Sequence, residues 1–79
     1  MDLEIISSEK VFFKGTVQKV TLPGTLGSFT VLEGHAPLIS TLEAGNIAYN
    51  AQKTGEDTVL PIKGGYVEVQ NNRVVVCIN

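Results

Sequence analysis

Apolar and polar residues alternate along this chain in short runs, and Gly, Pro, Asn or a polar cluster ends each run, at a spacing of about 8 to 12 residues. A period of two is the signature of a strand with one buried face, because successive side chains point to opposite sides. The clearest instance is near the end. Val67 and Val69 alternate with Tyr66, Glu68 and Gln70, Asn71-Asn72 interrupts, and Arg73-Val74-Val75-Val76-Cys77-Ile78 follows. Asn tolerates the left-handed backbone that a two-residue type I′ hairpin turn requires, so a tight hairpin is predicted here.

The same reading applies upstream. Leu3 and Ile5 share one face of a first strand, and Ser8-Glu9-Lys10 supplies a polar turn. Val11 to Leu22 is a longer extended stretch in which Val11, Phe13 and Val17 have one parity and Val20 and Leu22 the other. A change of face near Gln18-Lys19 implies a bulge or bend where the chain passes between sheets. Pro23-Gly24-Thr25-Leu26-Gly27-Ser28 reads as a loop, and Phe29 and Val31 share one face of the next short strand, which stops at Glu33-Gly34-His35-Ala36-Pro37. Leu38 to Ala44 allows a helical turn or a strand, and its confinement between Pro37 and Gly45 favours the strand. Ile47, Tyr49 and Ala51 alternate, Lys53 to Asp57 forms a polar hairpin loop, and Pro61 marks Thr58 to Ile62 as an edge strand.

Composition agrees with this pattern. Val, Ile and Thr number 23 against 11 Ala and Leu, a balance that suits strands. With 79 residues and eight or more strands, the chain is expected to be a single all-β domain over 1–79, a sandwich or barrel. At roughly 0.05 to 0.15 kcal/mol per residue such a domain has little stability to spare for a strained active site, which favours a binding or structural role. Acids and bases are spread evenly, net charge is −2, and Arg73 is the only arginine, so a nucleic-acid binder is not expected. No apolar run approaches the length of a membrane helix and the start lacks a signal-peptide pattern.

Residues with catalytic potential are few and dispersed. His35 is the only histidine and has no cluster of Cys or acids at metal-ligand spacing, so a loop or interface role outweighs a base or ligand role. Cys77 lies in an aliphatic strand, where a thiol commonly behaves as a small buried hydrophobe; a hydrolase using Cys77 and His35 is the weakest reading. Gly24-Thr25-Leu26-Gly27 matches G-x-x-G, but without basic residues between Lys19 and Lys53 a plain turn is favoured over a phosphate clamp. Lys53 in a hairpin loop suggests an alternative from another class, a lipoyl- or biotinyl-type carrier domain, although the flanking residues do not resemble that setting. The carboxylates are scattered with no visible pairing, and neither a metal nor a cofactor is expected.

At Glu33-Gly34-His35-Ala36-Pro37-Leu38 and Gly64-Gly65-Tyr66-Val67-Glu68-Val69 the chain resembles the epsilon subunit of F-type ATP synthase. The opening Leu3 to Glu9, Phe13-Lys14-Gly15 and Gly45-Asn46-Ile47 extend the likeness, in order and spacing, over essentially all 79 residues. The resemblance implies a β-sandwich of two packed sheets with about ten short strands. It also implies a non-catalytic rotor subunit on the central stalk, which joins the gamma subunit to the membrane c-ring and through them serves the alpha and beta catalytic subunits. Location would be peripheral, on the cytoplasmic face of an energy-transducing membrane such as the bacterial plasma membrane.

Carried over residue by residue, the resemblance makes Ser7, His35, Ala36 and Ser40 candidates for the gamma interface. Pro23, Gly24, Thr25, Leu26, Gly27 and Ser28 correspond to the loop that meets the c-ring. Relatives commonly carry an acid in that loop, and this sequence has none, so a ring contact here would depend on shape and backbone hydrogen bonds. The family's C-terminal helical hairpin, used to restrain ATP hydrolysis, has no counterpart within the 79 residues, so neither that inhibition nor a nucleotide site is expected of them.

Overall fold

The computed structural model describes residues 1–52 and 55–79. Among them nine strands form: β1 (Asp2–Ile6), β2 (Val11–Thr16), β3 (Lys19–Gly24), β4 (Gly27–Leu32), β5 (Leu38–Leu42), β6 (Gly45–Asn50), β7 (Thr58–Ile62), β8 (Gly65–Gln70) and β9 (Arg73–Ile78). No helix occurs among the described residues. One layer runs β2-β1-β9-β8-β5 and the other β4-β3-β6-β7. Every pairing is antiparallel except β1 with β9. The two layers are joined into one curled sheet at a corner, where Gly24 of β3 pairs with Leu42 of β5.

The alternating pattern explains the core. Leu3, Ile5, Val67, Val69, Val74 and Val76 point inward from the first layer, and Val20, Leu22, Val31, Ile47 and Ile62 from the second. Burying each such side chain stabilises the fold by about 1.5–3 kcal/mol relative to leaving it in water. The expected change of face occurs at Val17-Gln18, between β2 and β3. There Val17 N–H donates to the Met1 carbonyl at 2.9 Å and Gln18 N–H to the Asn50 carbonyl at 2.8 Å, so consecutive residues bond to opposite layers. Pro61 does lie on an edge, since β7 pairs only with β6. Asn71 and Asn72 have φ of 53° and 60°, as a type I′ turn requires.

Three details depart from the sequence reading. Val11 shares the parity of Phe13 yet is 58% exposed. Ile5 pairs with Phe13 but Ile6 with Val11, so Phe12 is the extra residue of a bulge, and a one-residue slip turns Val11 to the opposite face. The segment Pro23 to Ser28 is mostly strand: Pro23 and Gly24 end β3, Gly27 and Ser28 begin β4, and only Thr25-Leu26 turns. Pro23 is tolerated there because its carbonyl accepts from Glu43 N–H at 2.9 Å, on the side away from β4. In an antiparallel ladder N–H and C=O of one residue point the same way, so the missing N–H removes no bond to Ser28. Cys77 is half-buried rather than buried, because Val74 and Val76 occupy the inward parity of β9 and the thiol takes the outward one.

Candidate functional site

The outward side of the first layer is a continuous five-stranded surface, and strand register sets its composition. Thr41, Tyr66, Cys77, Ile6 and Val11 form one row across five strands. Ile39, Glu68, Val75, Glu4 and Lys14 form the next, then Gln70, Arg73, Asp2 and Thr16. The first row has no charged side chain, and its Tyr66 (53% exposed) and Val11 (58%) stand well clear of the sheet, while the second sets exposed Ile39 (74%) beside Glu68, Glu4 and Lys14. The third row is polar. An apolar band bordered by charges is the composition of a protein contact surface.

Tyr66 is anchored at its base by Gly65, where an added Cβ would collide with the Cys77 carbonyl oxygen, so only glycine lets β8 and β9 approach this closely. The Cys77 side chain directly across from it, by hydrogen bonding and then by charge, holds the Tyr66 hydroxyl's pKa above the ordinary 10.0, with burial and Glu68 adding smaller pushes. At working pH the ring therefore presents a neutral donor on an apolar body, a combination common at interface centres.

The residues singled out from the sequence occupy several places. His35 and Ala36 are exposed in the β4–β5 connection, tied down by His35 N–H to the Leu32 carbonyl (3.1 Å) and Gly34 N–H to Asn72 Oδ1 (3.0 Å). His35 Nδ1 lies 2.7 Å from the Ala36 carbonyl, which can only accept, so Nδ1 is the donor in this contact. Ser7 lies at the opposite end of the layer, about 17 Å away along the strand direction at roughly 3.3 Å per residue. Its hydroxyl accepts from Glu9 N–H (3.2 Å) and Lys10 N–H (3.3 Å) and so closes the β1–β2 turn. Ser40 takes the inward parity of β5 between Leu38 and Leu42 and donates to the Thr41 carbonyl at 3.0 Å. These residues form no cluster; Ser7 and His35 mark opposite corners of the outward face.

The β3–β4 hairpin forms a second, separate projection. Gly24 is buried beneath Phe29, whose ring would meet an added Cβ at 2.8 Å. Thr25 is locked to β5 by its N–H to the Thr41 carbonyl (3.1 Å) and by a 2.7 Å bond between the two hydroxyls. Leu26 beyond them is 103% exposed.

Comparison with known proteins decides the family. The model for the ATP synthase delta/epsilon chain β-sandwich domain matches residues 1–79. The chain belongs to that family. An epsilon chain of ATP synthase from Chlorobaculum tepidum is 39% identical over 74 residues, covering 94% of this chain and 83% of that relative. One from Magnetococcus marinus is 40% identical over 80 residues, covering all of this chain and 56% of that relative. Among solved structures, a chain of the Euglena gracilis mitochondrial ATP synthase (OSCP/F1/c-ring) superposes with a TM-score of 0.86 at 20% identity, over 96% of this chain and 48% of that one. A chain from the Tetrahymena thermophila mitochondrial central stalk and c-ring gives 0.80 at 13%, over 98% and 61%. At those identities the structural likeness concerns the fold.

The epsilon-type chains to which this one is similar are non-catalytic subunits of ATP synthase, a membrane-associated complex. In this chain no helix among the described residues is long and apolar enough to cross a membrane. The geometry also removes the hydrolase reading, since Cys77 pairs with Ile6 and Tyr66 at one end of the layer while His35 sits beside Asn72 at the other. The carrier alternative rests on Lys53, which lies outside the described residues. The sequence reading missed Ile39, Tyr66, Val75 and Cys77 as a surface. Alternation places them opposite the core, but only the pairing of β5, β8 and β9 puts them side by side.

Proposed function

We propose that this epsilon-type chain is a rigid adaptor of the ATP synthase rotor, joining the gamma subunit to the c-ring so that proton-driven rotation reaches the alpha and beta catalytic subunits. The outward face carrying Ile39, Tyr66, Val75 and Cys77 receives gamma, with His35, Ala36 and Ser7 at its margins. The β3–β4 hairpin, Pro23 to Ser28, meets the ring. Attachment to the membrane is indirect and peripheral, on the cytoplasmic side. The observation that carries this reading is the pair of non-overlapping surfaces on one hydrogen-bonded sheet, an apolar face and a braced hairpin, in a chain of the epsilon family. A torque-bearing part needs two such contacts and no hinge between them.

Co-expression with the cognate gamma subunit tests it. The wild-type chain copurifies with gamma, and Ile39→Asp combined with Tyr66→Asp reduces recovery at least about tenfold, because burying unpaired carboxylates in an apolar contact costs several kcal/mol. A chain that never copurifies with gamma refutes the assignment. Unchanged recovery of the double variant moves the contact off this face.

A further inference from the structure

We infer that the unassembled chain forms a two-fold dimer by antiparallel pairing of its β4 edge with the β4 edge of a second copy. An open edge strand presents unpaired N–H and C=O groups, and natural edges are blunted by Lys, by Pro or by a bulge. Two edges here follow that rule. β2 has its bulge at Phe12, between Lys10 and Lys14, and β7 contains Pro61. The free flank of β5 follows Pro37 and is held at its far end by Thr25 N–H donating to the Thr41 carbonyl. β4 has none of these devices. It pairs only with β3, in unbroken register from Gly27 to Leu32, and residues 27–32 carry neither a charge nor a proline.

Alternation along the ladder decides which groups are open. Pro23 lies opposite Ser28 in a pair that exchanges no bonds, so Phe29 and Val31 bond to β3, and Ser28, Thr30 and Leu32 direct their backbone groups outward. The Leu32 carbonyl accepts from His35 N–H at 3.1 Å and marks the end of the free edge, with Thr30 at its midpoint. A two-fold axis at Thr30 lets it exchange both backbone bonds with its own copy, while Leu32 N–H of each chain donates to the Ser28 carbonyl of the other. A second copy is thus the partner whose register follows from this strand alone. Thr30 then meets Thr30, a pair that sheets favour, and exposed Leu32 (55%) covers Ser28 of the copy. The nearest charges are Lys19, opposite Leu32 on β3, and Glu33, and both are already engaged. Lys19 Nζ is 3.5 Å from the Asp57 carboxylate, on the flank of β3 away from β4, and the Glu33 carboxylate is 3.6 Å from the Met1 ammonium. Antiparallel pairing about residue 30 sets the two copies of Glu33 about 20 Å apart, at roughly 3.3 Å per residue, beyond a screening length of about 8 Å in physiological salt. One short strand per copy falls well below the roughly 20 to 30 residues a side of a stable interface, so the dimer is weak.

Sedimentation equilibrium of the free chain between about 10 µM and about 1 mM tests it, with thermal unfolding of each variant alongside. Wild-type mass climbs with concentration toward twice that of the monomer, with a midpoint on the order of 100 µM. Thr30→Lys and Thr30→Glu each raise that midpoint at least about 10-fold, because like charges meet on the axis, and an equimolar mixture of the two recovers association. Amide resonances need no variant. Over the same concentrations those of Ser28 to Leu32 shift in the wild-type chain, and those of Ile39 and Tyr66 do not. A chain that stays monomeric to about 1 mM, undiminished association of Thr30→Lys, a mixture no stronger than either variant alone, or shifts centred on Ile39 and Tyr66 overturns the inference. The rotor reading is separate from it, since failure to bind gamma refutes that reading and leaves the dimer standing.

Discussion

Asn72 connects the best-defined turn to the loop that carries His35, and its two contributions can be separated. Its backbone sits at φ 60°, which Asn tolerates and Ala does not, and its Oδ1 accepts from Gly34 N–H across 38 residues of chain at 3.0 Å. Asn72→Ala introduces about 1 kcal/mol of left-handed strain and removes a hydrogen bond worth about 0.5–1.5 kcal/mol. The neighbouring Asn71, at φ 53°, has no such tether among the described residues, so Asn71→Ala costs only the strain, and Asn72→Gly only the bond. For a domain this small each kcal/mol lowers Tm by about 4–8 °C. Thermal unfolding is expected to rank the three, with Asn72→Ala the most destabilised by about 1.5–2.5 kcal/mol, the sum of the two parts. Amide exchange should then show Gly34 and His35 N–H deprotected in both Asn72 variants and unchanged in Asn71→Ala. If Asn72→Gly is as damaging as Asn72→Ala, the strain argument fails; if Gly34 stays protected in Asn72→Gly, the tether does not hold the loop.

Two further outcomes follow from the outward face. In a Tyr49→Phe background, ultraviolet titration of Tyr66 should give a midpoint above 10.0, falling toward it in Cys77→Ala. The sign is that of a neutral form favoured by folding: the contribution is complete below the unfolded value near 10 and disappears as pH rises through the folded one; a midpoint at or below 10.0 contradicts it. Cys77, half-exposed beside Tyr66, should react with a maleimide in the native free chain and be protected at least about tenfold in the complex with gamma; equal labelling in both states would place gamma elsewhere.

Much of the sandwich was legible because its determinants are local. The I′ turn at Asn71-Asn72, the edge strand at Pro61 and the face change before Val20 each follow from backbone rules that need no knowledge of distant contacts. Val11 was misplaced because a bulge is a property of two strands: nothing in Val11-Phe12-Phe13 shows that Ile5 and Ile6 will skip a residue opposite them. The hairpin was misread as a loop for the same kind of reason, since whether Pro23 breaks a ladder depends on which side its missing N–H would have faced. The outward face was harder still. Ile39, Tyr66, Val75 and Cys77 are distant in sequence, and the parallel pairing of β1 with β9 that extends their row to Ile6 has no local signature.

That pairing also indicates how load would pass through the molecule in the proposed role. From Leu26 at the tip, Thr25 is joined to Thr41 by two hydrogen bonds, Thr41 pairs with Tyr66, Tyr66 with Cys77, and Cys77 with Ile6. The row that links the hairpin to the apolar face is therefore the same row that composes the face. Force applied at the ring would pass from the Thr25-Leu26 turn into β5 and then across the β5, β8, β9 and β1 ladders, and the corner at Gly24 and Leu42 is where it passes from one layer to the other. Gly24 has to be small there because Phe29 and the Gly27 carbonyl already fill the space a side chain would need. A bulky residue at position 24 would thus separate the two contact surfaces mechanically even if each kept its own partner.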